Sequence, residues 1–302
     1  MPPEAPEGPN LTGTTRWLAL TTFRLGPLDE AGRARSDAWR DIGFDLDRRV
    51  TTPDKSASHE DSCHRVEGAP KSVLADGRDG IDNQFGSQVM SVVKSICSTA
   101  STTEAKLDTY TLLLRLDDVG DGDDPSVPGA LFVARRTSDK FQWILDDAAL
   151  EGGDPDRPRT RFPAGFVRDG RWWSGPVSAP VTIELPLCHY SIPATIELRV
   201  LTVGLTGGRG MLGGFVRLNA LQASATILIR HAGGCPGNAT FDQIMNTVTQ
   251  GLDLVADAPD LQNTSRTCDA LSLGLGFGAV PTVAPTQHQA FVVSRPADDC
   301  PK

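Results

Sequence analysis

Strand-like patterning dominates the middle of this chain. Residues 17–23, Trp-Leu-Ala-Leu-Thr-Thr-Phe, form an apolar, β-compatible run that predicts a first strand. Residues 110–116 and 130–134 predict two more, and the Asp/Gly/Pro connector between them suggests a hairpin-like pair. Further strands are expected over 141–145, 181–187 and 194–205, with a short hairpin over 165–173 turning at Asp169-Gly170. From Leu271 to Gly278 the period is strictly two. One face carries leucine and phenylalanine, the other only serine and glycine. Such a bare face predicts close approach of another backbone or an underlying helix.

Helical spacing shows twice. Phe85, Val89, Val92, Val93 and Ile96 fall on one helix face and predict a helix over 85–97, capped by Asp82 or Asn83. Phe241, Ile244, Met245, Val248, Leu252 and Val255 predict a second over 241–256, capped by Thr240. Residues 215–229 are apolar in a pattern that fits helix and strand alike. The expected fold is mainly β, a β-sandwich or jelly-roll-like domain with two peripheral α-helices. Residues 1–13 read as a disordered, Pro-rich leader and 14–302 as one elaborate domain, with a subdivision near 230 as the alternative.

A hydrophobic content of 39% supports a packed core, and the net charge of −9 argues against sequence-independent nucleic-acid binding or docking on anionic lipid. No stretch reaches the length of a transmembrane helix. No apolar signal region follows Met1, so the start reads as a mature chain whose export signal has been removed. Cys63, Cys97, Cys188, Cys235, Cys268 and Cys300 are widely spaced, with no C-x-x-C pair. An even set of this kind reads as three disulfides formed in an oxidising compartment, with connectivity open.

The densest chemistry is acidic. Asp76-Gly77-Arg78-Asp79-Gly80-Ile81-Asp82-Asn83 leads straight into the first predicted helix. Clustered carboxylate and amide oxygens in a tight turn are hard ligands, and Asp76, Asp79, Asp82 and Asn83 are the candidates for calcium. The loop is not an EF-hand, because Arg78 stands at the third position and no Glu closes it. A capped helix start would favour the same negative charge without metal. A second acidic turn, residues 117–124, nominates Asp117, Asp121 and Asp123 for a cation. Asp45 and Asp47 are a weaker third candidate that would have to converge with the first loop.

Other motifs point nowhere so definite. Gly208-Arg209-Gly210-Met211-Leu212-Gly213 matches G-x-G-x-x-G, but no acid follows it for a ribose, so it reads as a glycine turn. Trp143, Trp172 and Trp173 are candidates for a sugar- or peptide-stacking platform, with core packing as the plainer alternative. No complete catalytic signature is present.

Three stretches together resemble pieces of uncharacterised secreted proteins and lipoproteins of myxobacteria. They are Gly43-Phe44-Asp45-Leu46-Asp47, Gly80-Ile81-Asp82-Asn83-Gln84-Phe85-Gly86, and the run from Cys268 to Phe277. The resemblance implies a bacterial envelope setting and carries no known activity. The expectation is therefore an exported, non-catalytic binding or structural protein, calcium-stabilised, meeting a glycan or another envelope protein. A carbohydrate-active enzyme or carbohydrate-binding module on a β-sandwich is the alternative.

Overall fold

The computed structural model describes residues 3–29, 31–52, 60–69, 75–96, 105–107, 110–137, 142–187, 190–291 and 300. The protein is mainly β and sandwich-like, with 43% of residues in strands and 20% in helices, as its sequence patterning predicts.

Among the described residues seventeen strands are formed in chain order. They are β1 (Thr14–Arg24), β2 (Cys63–His64), β3 (Ala105–Lys106), β4 (Tyr110–Val119), β5 (Gly129–Arg136) and β6 (Trp143–Asp146). Then come β7 (Leu150–Glu151), β8 (Asp154–Pro158), β9 (Thr160–Phe162), β10 (Phe166–Arg168), β11 (Arg171–Trp173) and β12 (Ala179–Leu187). The last are β13 (Tyr190–Gly204), β14 (Gly208–Arg217), β15 (Asn263–Thr267), β16 (Ala270–Thr282) and β17 (Gln287–Gln289). One large sheet runs in the order β10-β11-β13-β14-β16-β1-β4-β5-β6-β17, with β12 on β13, β3 on β1 and β9 on β5. It curls, so that β12 meets β3, β4 and β9 across the core.

Strand alternation decides which side chains enter that core. Leu18 and Leu20 of β1, Leu112, Leu114 and Leu116 of β4, and Leu271, Leu273, Leu275 and Phe277 of β16 share one apolar cluster with Ile183, Leu185 and Ile196. Ala19, Leu113, Phe132 and Trp143 point the other way, into a smaller cluster under Leu150. The β4–β5 hairpin is antiparallel, as expected. So is the β10–β11 hairpin, whose turn residues Asp169 and Gly170 both take positive φ, 52° and 69°. That is the turn conformation Asp-Gly favours in a two-residue hairpin.

Among the described residues three α-helices cover the core. A π-helical turn, Phe85–Val89, runs into α1 (Met90–Ile96); α2 is Leu218–His231 and α3 is Ala239–Gln250. Two helices were expected; the ambiguous run 215–229 supplies the third, most of it as α2. The second expected helix ends early, at Gln250 with Gly251 as its C-cap, and Asn238 rather than Thr240 caps its start through a side-chain bond to Thr240 N.

One further expectation needs correction. The G-x-G-x-x-G run is not a turn: Gly208–Arg217 is a strand in the middle of the sheet, paired to β13 and β16. Gly213 is there for packing, since a Cβ on it would lie 2.6 Å from the Phe44 ring. The leader, described from residue 3, has no regular structure but makes contacts: Leu11 N donates to Asp124 Oδ2 at 3.1 Å, and Arg168 donates to the Glu4 carbonyl at 2.7 Å.

Candidate metal centre

The bare face of β16 is where the acidic loops dock. Ser272 and Gly274 lie on that face, opposite the core leucines. Gly274 pairs with Gly213 of β14, which leaves a flat patch. The 42–44 backbone lies on it so closely that a Cβ on Gly274 would sit 2.3 Å from the Ile42 carbonyl oxygen and 2.7 Å from Gly43 Cα. The predicted close approach of backbone to this strand is thus present, and it carries residues 42–47 to the first acidic loop.

Asn83 fastens the loop in place. Its Oδ1 accepts from Gly86 N and from Gly274 N, both at 3.0 Å, and its Nδ2 donates to the Ile42 carbonyl at 2.8 Å. Gln84 N donates to Ser272 Oγ at 2.8 Å. Asp82 N donates to the Phe44 carbonyl at 3.0 Å, bridging the two loops. Asn83 therefore caps the helix start. It was also a candidate calcium ligand, but two N–H donors already occupy its only side-chain oxygen.

Around this anchor the carboxylates gather. Asp45, Asp47 and Asp82 each offer an oxygen, and the three lie within 4.8 Å of one another. Oxygens on one calcium ion, each at about 2.4 Å from it, stand no more than roughly 5 Å apart, so the spacing fits a single ion. Asp82 Oδ2 accepts from Leu46 N at 2.6 Å, Asp45 Oδ1 from Arg48 N at 2.6 Å, and Asp47 from Arg49 N at 2.8 Å and from the Ser62 hydroxyl. The weak third candidate of the sequence thus converges with the first loop. Asp76 is buried beside them and accepts from Thr51 N. Asp253, on the loop after α3, is buried with its Oδ1 on Ser272 N at 2.8 Å.

These groups cannot all be ionised without compensation. At an effective dielectric near 20, two unit charges about 5 Å apart repel by about 3 kcal/mol. Three such pairs come to roughly 10 kcal/mol, comparable with the whole stability of a domain. No ion pair reaches Asp45, Asp47, Asp76, Asp82 or Asp253 among the described residues. Burial pushes the Asp76 carboxyl up to about 9, with repulsion from Asp47, Asp253 and Asp45 adding to it. Burial likewise raises Asp82 well above the usual range, with Asp47, Asp76 and Asp253 contributing. Asp253 is raised to about 7, again chiefly by burial. Either protons or a cation must neutralise the cluster, and an all-oxygen carboxylate set is the chemistry of calcium.

The remaining candidates lie elsewhere. Asp79 is exposed, on the tip of the loop. In the second acidic turn, Asp117 pairs with Arg115 at 3.2 Å, Asp123 accepts from Asp169 N at 2.8 Å, and Asp121 is exposed. Among the described residues that turn brings no three carboxylates together. Its buried member, Asp124, joins the leader to β10 through Leu11 and Val167.

The tryptophan platform is also corrected. Trp172 is fully buried with Nε1 on the Val127 carbonyl, and Trp143 is buried with Nε1 on Thr282 Oγ1. Trp173 is half-buried and edge-on to Phe44. Alternation along β11 sends the two adjacent indoles to opposite faces, and the inward one fills the core. Trp17, which the sequence reading used only as a strand former, lines an open groove of about 600 Å³ with Thr15, Arg16, Thr206, Thr282 and Val283.

Cys63–Cys268 and Cys235–Cys300 form disulfides; Cys97 and Cys188 lie outside the described residues. Cys63 and Cys268 form part of the wall beside Asp76, Asp82 and Asp253. Asp253 is the residue that sequence reading missed. Its signal was Gly251, a C-cap glycine that stops the helix two residues earlier and leaves Asp253 in a loop. Comparison with protein-family models, curated proteins and solved structures finds no match.

Proposed function

We propose that this chain is an exported, non-catalytic binding or structural protein of the cell envelope whose loop architecture is fixed by calcium. The observation that carries the reading is the triad Asp45, Asp47 and Asp82, brought together from two loops, largely buried, and in no ion pair among the described residues. The ion would tie the 42–47 loop to the 76–83 loop over the glycine face of β16. Two disulfides support an oxidising compartment, where free calcium is plentiful enough for a site of modest affinity. No described helix is long and apolar enough to cross a membrane. The partner class this reading carries is a glycan or another envelope protein, and the groove beside Trp17 is the surface offered to it.

Thermal melting of calcium-loaded and chelator-stripped protein tests the calcium reading. Ligand a hundredfold above its dissociation constant adds about 2.7 kcal/mol. For a chain of this size that is a rise of roughly 4 °C in Tm. The Asp82→Asn variant should lose the rise. Superimposable melting curves with and without calcium would rule out the stabilising ion.

A further inference from the structure

We propose that the apolar cavity under the helices takes the tail of an uncharged, single-chain lipid, whose head group lies in the groove outside it. The site is separate from the metal centre and does not depend on the calcium reading.

The cavity measures about 40 Å³ and lies between the helices and the sheet. Phe85 and Val89 of the π-helical turn, Leu185 of β12, Ile192 of β13, Leu228 of α2 and Val248 of α3 are among its walls. Ser224 is the one polar residue in the lining among the described residues. Its hydroxyl is already committed to the Pro193 and Ala220 carbonyls, at 2.7 and 3.0 Å. A buried water needs two to four polar partners, so nothing here holds one. The space is that of about three water-sized spheres, room for the end of an alkyl chain. Its walls favour hydrocarbon over water.

The way in is beside α3. Val92, Ile229 and Ile244 line the cavity and also line an open groove of about 390 Å³, so they form the partition between the two. Ile244 is only half-buried, which leaves its side chain free to change rotamer. Past this partition the lining becomes polar, with Ser95, Thr240, Gln243 and Thr247. The Thr240 hydroxyl and the Gln243 side-chain amide make no side-chain hydrogen bond among the described residues. No charged side chain lines cavity or groove among the described residues, and Asp242 already supplies negative charge at the start of α3. A hydrocarbon tail with a hydroxyl or ester head matches that sequence of surfaces. A carboxylate or phosphate head would meet no cation.

Two local features shape the site. The i→i+5 turn at Phe85–Val89 places both of its end residues on the cavity, and turns of this kind recur at functional sites. The Cys235–Cys300 disulfide stands at the lip of the groove, with Cys300 Sγ 3.9 Å from the carbonyl of Gly234, which lines it.

The test titrates the full chain with 1-monodecanoylglycerol, kept below the concentration at which it aggregates, by calorimetry and native mass spectrometry. The expected result is one molecule per chain. Decanoate at pH about 8, where its head is charged, should bind at least tenfold more weakly. Ala225→Leu puts a larger side chain into the cavity and leaves the groove as it is, so monodecanoylglycerol affinity should fall at least tenfold. Ala194→Val gives the same readout from the sheet side if circular dichroism shows that the Ala225 variant does not fold. No bound monodecanoylglycerol, decanoate bound as tightly, or full affinity in a folded variant with the cavity filled would each overturn the proposal.

Discussion

The amide oxygen of Asn83 lies 3.0 Å from the backbone N of Gly274, a contact between residues 191 positions apart. It joins the acidic loop to the glycine face of β16, and the same oxygen caps the helix start through Gly86 N. Replacing Asn83 by Ala removes a cap and leaves buried donors and carbonyls without partners. The expected loss is roughly 2–4 kcal/mol, read from urea denaturation in calcium. A loss below about 0.5 kcal/mol would show that Asn83 does not anchor the loop.

Gly274→Ala addresses the other side of that contact. The added methyl would meet backbone atoms of Ile42 and Gly43, which cannot swing aside as a side chain can. Overpacking of this kind costs about 1–3 kcal/mol. Because the displaced segment carries Asp45 and Asp47, calcium affinity should fall at least tenfold, measured by calorimetry. Unchanged affinity would detach the glycine face from the metal centre.

The cation-free protein should be most stable in acid. Asp76 near 9 and Asp253 near 7 in the folded state stand above an unfolded carboxyl near 3.9. Between those values the native state keeps protons that the unfolded chain has released, so stability falls as pH rises. The stabilisation is complete below about pH 4 and is lost progressively up to about pH 9. Calcium competes with those protons, so its stabilising effect should grow over the same range. Urea midpoints in chelator and in calcium, at pH about 5, 7 and 9, check both trends. A chelator midpoint that climbs with pH would contradict the buried cluster.

The Cys63–Cys268 disulfide ties the segment that holds Asp47 through Ser62 to the segment paired with the Asp253 loop. Asn263 N donates to the Ser62 carbonyl, and Leu254 and Ala270 exchange backbone bonds. Replacing both cysteines by Ser should cost about 2–5 kcal/mol and weaken calcium binding together with stability. Full affinity in the double variant would separate the staple from the site.

Much of this arrangement was written in local pattern. Apolar, β-compatible runs located about half of the described strands, and the Asp169-Gly170 turn fixed its own hairpin. The bare face of residues 271–278 announced a close backbone before any partner was known. Long-range pairing was not legible. Nothing local to Asp45, Asp82 or Asp253 says that three loops converge, because convergence is set by the register of β14 on β16 and by the disulfide. The glycines of β14 misled for the same reason: Gly210 and Gly213 mimic a turn in sequence, yet they make room for the Phe277 and Phe44 rings. Composition also overstated the second acidic turn, whose aspartates are spent on Arg115, Asp169 and the leader.

The most direct measurement is an anomalous difference map from a crystal of the full chain grown with calcium at neutral pH. The account predicts a peak about 2.3–2.6 Å from oxygens of Asp45, Asp47 and Asp82. Carboxyl oxygens paired with one another at about 2.5–2.7 Å around shared protons, with no peak between them, would contradict it.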